Sequence, residues 1–247
     1  MIITSEYVDV PVAGTPFART FVAQPRAEGK YPGVLCYSDI FQLTGPMLRA
    51  CVRLAGYGFV VAAPEIYHRI EPPGTVIPFD DDGRTRGLSD ASKTTVAQFD
   101  ATARAVLDYL AGHACVAAGQ LGVAGFCIGG HLAFRAACNR DVQATVCFYA
   151  TGLHDGKLGQ DADARSLARA ADIGGELLLV WGTRDPHVPE AARAQIATEL
   201  QRAGTKFAVR LYDAEHAFMR DEGARYDPSA TDEAWGEMVN LYRRVWQ

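Results

Sequence analysis

Cys127 lies in the segment whose residue types and spacing point most directly to chemistry. Gly125-Phe126-Cys127-Ile128-Gly129 follows an apolar run and precedes a helical pattern, and G-x-C-x-G has the form of a nucleophile elbow with cysteine in place of serine. In such an elbow the side chain projects above the sheet from a tight strand-to-helix turn, and the helix N-terminus stabilises a thiolate. The amide of Ile128 would point at a developing oxyanion. The alternative is that Cys127 is a small core residue beside a glycine-rich turn.

An acid and a histidine follow Cys127 in an order that suits a catalytic triad. Asp185 comes shortly after an apolar run that ends at Gly182, and His216 follows the next such run. Functional groups gather at the carboxyl ends of strands in open α/β sheets, and nucleophile, acid, histidine is the triad order of α/β-hydrolases. We therefore predict that His216 activates Cys127 and that Asp185 orients the imidazole. Taken singly, Asp185 could be a turn residue and His216 a surface histidine. His187 is a rival base, but it is too close in sequence to Asp185 to reach the nucleophile comfortably.

The hydrophobic pattern predicts the elements that position these residues. Two segments alternate apolar and polar residues, as an antiparallel hairpin with one wet face does: 3–12 and 18–25. Continuous apolar runs indicate buried parallel strands at 33–38, 58–64, 121–125, 144–150, 176–182 and 207–213. Helical spacing favours helices at 44–56, 92–112, 128–139, 164–171, 189–203 and 228–246. This alternation predicts an α/β fold with a mostly parallel central sheet flanked by helices on both faces, and one domain over 1–247.

Residues 70–91 stand apart from this alternation. They hold three prolines, three glycines, four aspartates and two arginines. We predict an irregular loop here, because a long loop inside a compact domain is usually functional or mobile. It could be a lid or rim over the active site, and the alternative is a solvated crossover.

The composition excludes several classes of function. Lys and Arg number 24 against 29 Asp and Glu, for a net charge of −5, so there is no basic footprint for nucleic acid or an anionic membrane. The six cysteines form no C-x-x-C pair and the six histidines are dispersed, which predicts no disulfide scaffold and no metal. The N-terminal residues lack a signal-peptide pattern and no segment suits a membrane helix. We therefore predict a cytoplasmic protein.

The chain resembles the dienelactone hydrolase (carboxymethylenebutenolidase) family. Gly125 to Gly130 match the family's G-x-C-x-G-G elbow, Gly182 to Pro189 match G-x-x-D-x-x-V-P, and Glu215 to Phe218 match E-H-x-F. Residues 36–44 are similar to the family's Q-[ED]-I-F-G segment, and the resemblance spans about residues 30 to 246. It implies an α/β-hydrolase fold and a cofactor-independent hydrolase that cleaves a small ester or lactone through an acyl-enzyme thioester. It also implies a monomer or a weak homo-oligomer.

The resemblance implies further roles for individual residues. Asp39 matches the acid that takes the proton of the resting thiol, and Ile40 matches the second oxyanion-hole amide beside Ile128. Arg69 and Arg220 match the two arginines that hold the substrate's carboxylate, a task that suits the planar guanidinium. Asp39 could instead be an N-cap or turn carboxylate, and either arginine could be a solvated surface charge.

Other functions remain open at this point. The same triad could hydrolyse a thioester, a peptide or a carbamate, because function is set by the site and not by the fold. A catalytically silent α/β-hydrolase used for binding is a second alternative, against which the intact order of Cys127, Asp185 and His216 argues. A nucleotide-binding doubly wound protein is a third, and neither of the usual glycine-rich phosphate-binding motifs is present.

Overall fold

The computed structural model, which describes residues 1–246, contains one eight-stranded sheet. In spatial order its strands are β1-β2-β4-β3-β5-β6-β7-β8. Their bounds are β1 Ile3–Val12, β2 Thr15–Pro25, β3 Tyr31–Tyr37, β4 Val60–Pro64, β5 Val116–Phe126, β6 Val142–Phe148, β7 Glu176–Gly182 and β8 Phe207–Tyr212. β1 and β2 form an antiparallel hairpin and β2 joins β4 antiparallel, whereas every pairing from β4 to β8 is parallel. The prediction of a mostly parallel α/β sheet is confirmed.

Helices cover both faces of the sheet. Their bounds are α1 Gly45–Gly56, α2 Asp81–Lys93, α3 Val96–Gly112, α4 Ile128–Ala136, α5 Glu190–Ala203 and α6 Pro228–Trp246. Buried side chains of α3, α4 and α5 form one core cluster with one face of the sheet, and those of α1 and α6 form a second cluster on the opposite face. The strands between them are therefore buried on both sides, which is why their sequences are continuously apolar.

The final helix lies directly against the central strand β5. The hydroxyl of Tyr242 donates a buried hydrogen bond of 2.7 Å to the carbonyl oxygen of Val123. The indole of Trp246 lies so near Gly122 that a Cβ on that glycine would be 2.7 Å from the ring, and real Cβ atoms do not approach other atoms so closely. Glycine at 122 therefore allows α6 to cover the strand that leads to Cys127.

The irregular loop predicted at 70–91 is wrong in its second half, which forms α2. The carboxylate of Asp80 accepts a hydrogen bond of 2.7 Å from the amide of Gly83 and caps this helix. Two more aspartates occupy its first turn, where the helix dipole favours negative charge.

Two other predicted helices differ in detail from the structure. The helix predicted over 92–112 begins later, because Thr95 and Gln98 form a capping box that starts α3. The segment predicted as a helix at 164–171 is a 3₁₀ helix over Leu167–Asp172.

The candidate catalytic side chains lie at the carboxyl edge of the parallel sheet. Asp39 follows β3, Cys127 follows β5, Asp185 follows β7 and His216 follows β8. Four loops that are far apart in sequence thus meet at one edge, as expected for an open α/β sheet.

Candidate active site

Cys127 occupies a strained turn between β5 and α4. Its backbone has φ 60° and ψ −119°, a conformation that residues other than glycine rarely adopt. The flanking glycines permit the turn, because a Cβ on Gly125 would overlap the Gly129 carbonyl and a Cβ on Gly129 would be 2.7 Å from the carbonyl oxygen of Tyr37. The backbone between β5 and α4 thus forms the tight strand-to-helix turn predicted from G-x-C-x-G. This turn holds the half-buried Cys127 side chain at the wall of a pocket.

His216 and Asp185 form a buried hydrogen-bonded pair beside Cys127. The Nδ1 of His216 lies 2.7 Å from the Oδ2 of Asp185, and each residue is at most 6% exposed. The other oxygen of Asp185 accepts a hydrogen bond of 2.8 Å from the backbone amide of His187. Because both carboxylate oxygens are engaged, Asp185 can hold the imidazole in one orientation, with Nε2 left for a reacting group.

The pKa of His216 reflects its neighbours. Burial disfavours the charged imidazole, but the charge of the Cys127 thiolate, the Asp185 hydrogen bond and an interaction with the Cys127 side chain outweigh it. Together they raise the pKa of His216 to about 9. The surroundings therefore favour the protonated form of the His216 imidazole.

Two backbone amides are free to face a developing oxyanion. Ile128 is the first residue of α4, where an amide has no intrahelical acceptor. The amide of Ile40 donates no hydrogen bond within residues 1–246. Both residues line the same pocket as Cys127, so both amides are candidate donors to an oxygen bound beside the thiol.

Asp39 and Arg220 form an ion pair at the pocket wall. The Nη2 of Arg220 donates to the Oδ2 of Asp39, and the Oδ1 of Asp39 accepts a bond of 2.9 Å from the amide of Phe41. The guanidinium also lies 3.9 Å from the ring centre of Phe79 and 5.0 Å from that of Phe41. Asp39 is thus both a turn carboxylate and the partner of Arg220, and no hydrogen bond joins it to Cys127.

Arg69 lies outside this pocket. Its Nη2 donates a hydrogen bond of 2.8 Å to the carbonyl oxygen of Ala13, in the turn that joins β1 to β2. The structure therefore brings Cys127, Asp185, His216, Asp39, Ile40, Ile128 and Arg220 together and leaves Arg69 apart.

The pocket has a volume of about 760 Å³, which is in the range of small-molecule sites. Besides the residues already named, four cationic or basic side chains line it that the sequence did not single out for binding: Arg84 on α2, Arg225 after β8, His187 and Lys157. Neither Arg84 nor Arg225 forms a salt bridge with any residue that the structure describes, in contrast to Arg220. Asp81 and Asp161 are the acids on the same lining besides Asp39. The wall formed by α2 and the segment after His216 therefore offers two unpaired guanidinium groups.

His187 and Tyr149 both contact the imidazole of His216. The His187 ring centre lies 4.7 Å from that of His216. The ring of Tyr149 also packs edge-on against the His216 ring, with 5.1 Å between the two ring centres. Burial and the positive charges of His216, Arg225 and Arg84 lower the pKa of His187. Tyr149 is buried at φ 37°, a strained conformation that no sequence pattern announced.

Metal ligation and disulfide bonding are not features of residues 1–246. Within that range no three His, Cys, Asp or Glu side chains are grouped to hold a metal ion, and all six cysteines are free thiols. None of the helices described is long and apolar enough to cross a bilayer.

Comparison with known proteins gives a consistent result. The model of the dienelactone hydrolase family matches residues 18–246. A Saccharomyces cerevisiae protein, named provisionally as a carboxymethylenebutenolidase, is 34% identical over 99% of this chain and 93% of its own. A carboxymethylenebutenolidase of Pseudomonas sp. strain P51 is 29% identical over 89% of this chain and 87% of its own. The crystal structure of a provisionally named dienelactone hydrolase from Klebsiella pneumoniae superimposes with a TM-score of 0.87 at 26% identity, covering 99% of this chain and 100% of that one.

Proposed function

Because this chain belongs to the dienelactone hydrolase family and is a hydrolase of ester or lactone bonds with the α/β-hydrolase fold, we propose that it works through a Cys127–His216–Asp185 triad. The observation that carries this proposal is the buried Asp185–His216 hydrogen bond beside a cysteine on a strained elbow. Nucleophile, base and orienting acid are the parts that covalent acyl transfer requires.

Acylation starts from the thiolate–imidazolium pair. The sulfur of Cys127 attacks the carbonyl carbon, and the carbonyl oxygen becomes an oxyanion that accepts hydrogen bonds from the amides of Ile128 and Ile40. When the oxyanion collapses, the carbon–oxygen bond to the alcohol portion breaks, and the proton on His216 moves to the leaving oxygen. Asp185 stabilises the charged imidazole before that transfer. A thioester on Cys127 and a free hydroxyl group result.

Deacylation reverses the roles with water in place of the alcohol. His216, now neutral, removes a proton from a water molecule as its oxygen attacks the thioester carbonyl. The same two amides hold the second oxyanion, and its collapse releases a carboxylic acid and returns the sulfur of Cys127 as a thiolate. The imidazolium that remains restores the starting pair.

We propose that Arg220 controls Asp39. The Arg220 guanidinium holds Asp39 and lies against two aromatic rings, so an anionic substrate that approaches Arg220 competes with the carboxylate for it. Asp39 released in this way accepts the proton of the Cys127 thiol, as the family resemblance implies, and this step produces the thiolate–imidazolium pair from which acylation starts.

We further propose that the substrate carries a carboxylate or another anionic group. Arg84 and Arg225 support this, because they line the pocket without a salt-bridge partner in the described chain. Guanidinium groups suit carboxylates through paired hydrogen bonds. Since Arg69 points into the β1–β2 turn, we assign this contact to Arg84 and Arg225.

Neutralising these two arginines is expected to impair only anionic substrates. In Arg84→Gln with Arg225→Gln, we expect kcat/KM for dienelactone to fall about tenfold, the effect of two exposed contacts of up to about 1 kcal/mol each. The value for p-nitrophenyl acetate should not change. Arg184→Gln is the matched control, since Arg184 is exposed and pairs with Asp213 outside the pocket. An equal loss for both substrates would contradict the assignment.

Trapping the acyl-enzyme tests the proposed mechanism. The protein is mixed briefly with p-nitrophenyl acetate or dienelactone, quenched in acid, digested and analysed by mass spectrometry. We expect the acyl group on the peptide that contains Cys127, with release by hydroxylamine as for a thioester. Turnover without any acylated cysteine would exclude covalent catalysis.

A panel of thioesters and amides, assayed beside the esters, distinguishes an ester hydrolase from the other hydrolases that this triad could support.

A further inference from the structure

Helix α2 lies directly on the backbone of Ile40, and a glycine makes the contact. Gly87 is buried in the middle of α2. A Cβ added there would overlap the carbonyl oxygen of Ile40 and would lie 3.1 Å from the Cβ and 3.2 Å from the carbonyl carbon of the same residue. The backbone of α2 therefore approaches Ile40 more closely than any other amino acid would allow.

Conformation does not explain this glycine. Gly87 is not among the residues with positive φ, and glycine inside a helix costs about 1 kcal/mol relative to alanine. A disfavoured residue in ordinary helical geometry indicates that its missing side chain matters. The atoms that occupy that space belong to Ile40, whose amide is one of the two free donors of the pocket.

The turn that contains Ile40 is fixed from the other side as well. The side-chain amide of Gln42 donates to the Thr75 carbonyl, and its oxygen accepts from the Tyr67 amide. The helix itself is anchored, because Arg86 forms two hydrogen bonds with the buried Glu71 carboxylate. Ile40 is thus clamped between the segment around Thr75 and an anchored helix.

We propose that Gly87 is a positioning residue that sets the Ile40 amide for oxyanion stabilisation. This inference rests on the proposed function, in which Ile40 donates to the oxyanion. It gives position 87 of α2 a role in catalysis, in addition to the place of this helix in the pocket wall. The placement of Ile40 then depends on how closely α2 packs at position 87.

The test compares two alanine substitutions on the same helix. In Gly87→Ala we expect kcat to fall about 10- to 100-fold, somewhat less than the loss of a whole oxyanion donor, while KM changes by less than about threefold. Gly83→Ala is the matched control. Its Cβ would also overlap backbone, at the carbonyl of Pro78, but away from Ile40. We expect Gly83→Ala to lower the melting temperature without that drop in kcat.

Two inhibitors separate oxyanion binding from thiol reactivity. A trifluoromethyl ketone forms a tetrahedral adduct with an oxyanion, and its affinity should fall in parallel with kcat in Gly87→Ala. Iodoacetamide forms no oxyanion, so its alkylation rate at Cys127 should match the wild type. Arg86→Gln loosens the anchor of α2 without added bulk and gives a second variant should Gly87→Ala not fold; the ketone should again lose affinity.

The outcomes distinguish this inference from the proposed function. Equal effects of Gly83→Ala and Gly87→Ala on kcat, or ketone binding unchanged in both Gly87→Ala and Arg86→Gln, would overturn the role of Gly87 and leave the triad intact. Absence of any Cys127-dependent ester hydrolysis in the wild type would overturn the proposed function itself.

Discussion

Replacement of Cys127 by alanine is expected to abolish ester and lactone hydrolysis while the protein stays folded. Loss of the nucleophile removes the covalent route, and the expected fall in kcat is about 10⁴- to 10⁶-fold. The folded state should tolerate the change, because the half-buried Cys127 side chain is small and forms no disulfide. Initial rates with p-nitrophenyl acetate and dienelactone, together with a thermal melt, measure both parts of this expectation.

Cys115→Ala is the matched control for this experiment. Cys115 is also a free, partly exposed cysteine, but it lies between α3 and β5 and does not line the pocket. We expect it to keep full activity. Full activity in Cys127→Ala would exclude Cys127 as the nucleophile, and a loss in both variants would point to a general effect of removing thiols.

Cys127→Ala also gives a second, independent readout, the pKa of His216. Since the Cys127 thiolate is the largest influence that raises the pKa of His216 to about 9, its removal should lower that pKa toward the ordinary value of 6.5. The imidazole then loses its proton at a lower pH than in the wild type. NMR titration of the His216 ring protons measures this shift, and an unchanged pKa would mean that the thiolate and imidazole do not interact.

Asp185→Asn is expected to lower kcat/KM by about 10³- to 10⁴-fold. Asp185 accepts the hydrogen bond from Nδ1 of His216, and an asparagine amide that donates to Nδ1 instead would leave the proton on Nε2. That tautomer cannot take a proton from Cys127. The side-chain oxygen of asparagine can still accept from the amide of His187, as Oδ1 of Asp185 does, so the loop should keep its shape.

Asp213→Asn controls for the loss of a carboxylate near the end of β8. Asp213 is exposed and pairs with Arg184 away from the pocket, so its replacement should leave kcat/KM within about twofold of the wild type, as for most exposed ion pairs. Steady-state kinetics across pH for both variants tests the argument. A mild effect of Asp185→Asn, similar to that of Asp213→Asn, would remove Asp185 from the triad.

The sheet and the elbow could be predicted from the sequence because local and tertiary requirements coincide there. A strand buried on both faces is continuously apolar, and a strained strand-to-helix turn needs glycines at 125 and 129. The places of Asp185 and His216 followed from a topological rule, since both come after parallel strands. For these parts, residue type and position in the chain are sufficient evidence.

Helix α2 escaped prediction because its glycines serve tertiary contacts. Gly83 and Gly87 reduce its helical propensity, but each lies against backbone that leaves no room for a side chain. Helix propensities depend only on residue type, so they count the two glycines as unfavourable. They contain no information about the neighbouring backbone that requires glycine at these positions.

The arginines show a different limit. Four arginines lie near candidate motifs: Arg69, Arg84, Arg220 and Arg225. Sequence spacing does not determine the direction in which each side chain points. Only the fold separates Arg69, which bonds to the β1–β2 turn, from Arg84 and Arg225, which line the pocket. The contacts of Tyr149 and His187 with His216 likewise arise from the meeting of distant loops.

The packing of α6 against β5 has a consequence for the order in which this protein can be completed during synthesis. Tyr242 donates a hydrogen bond to Val123 across 119 residues of chain, so the ribosome finishes β5, the strand that precedes Cys127, long before the helix that covers it. At typical rates of 5–20 residues per second this interval is roughly 6–24 s. Throughout it, the apolar face of the nascent central strand lacks its cover and is open to other chains or to chaperones.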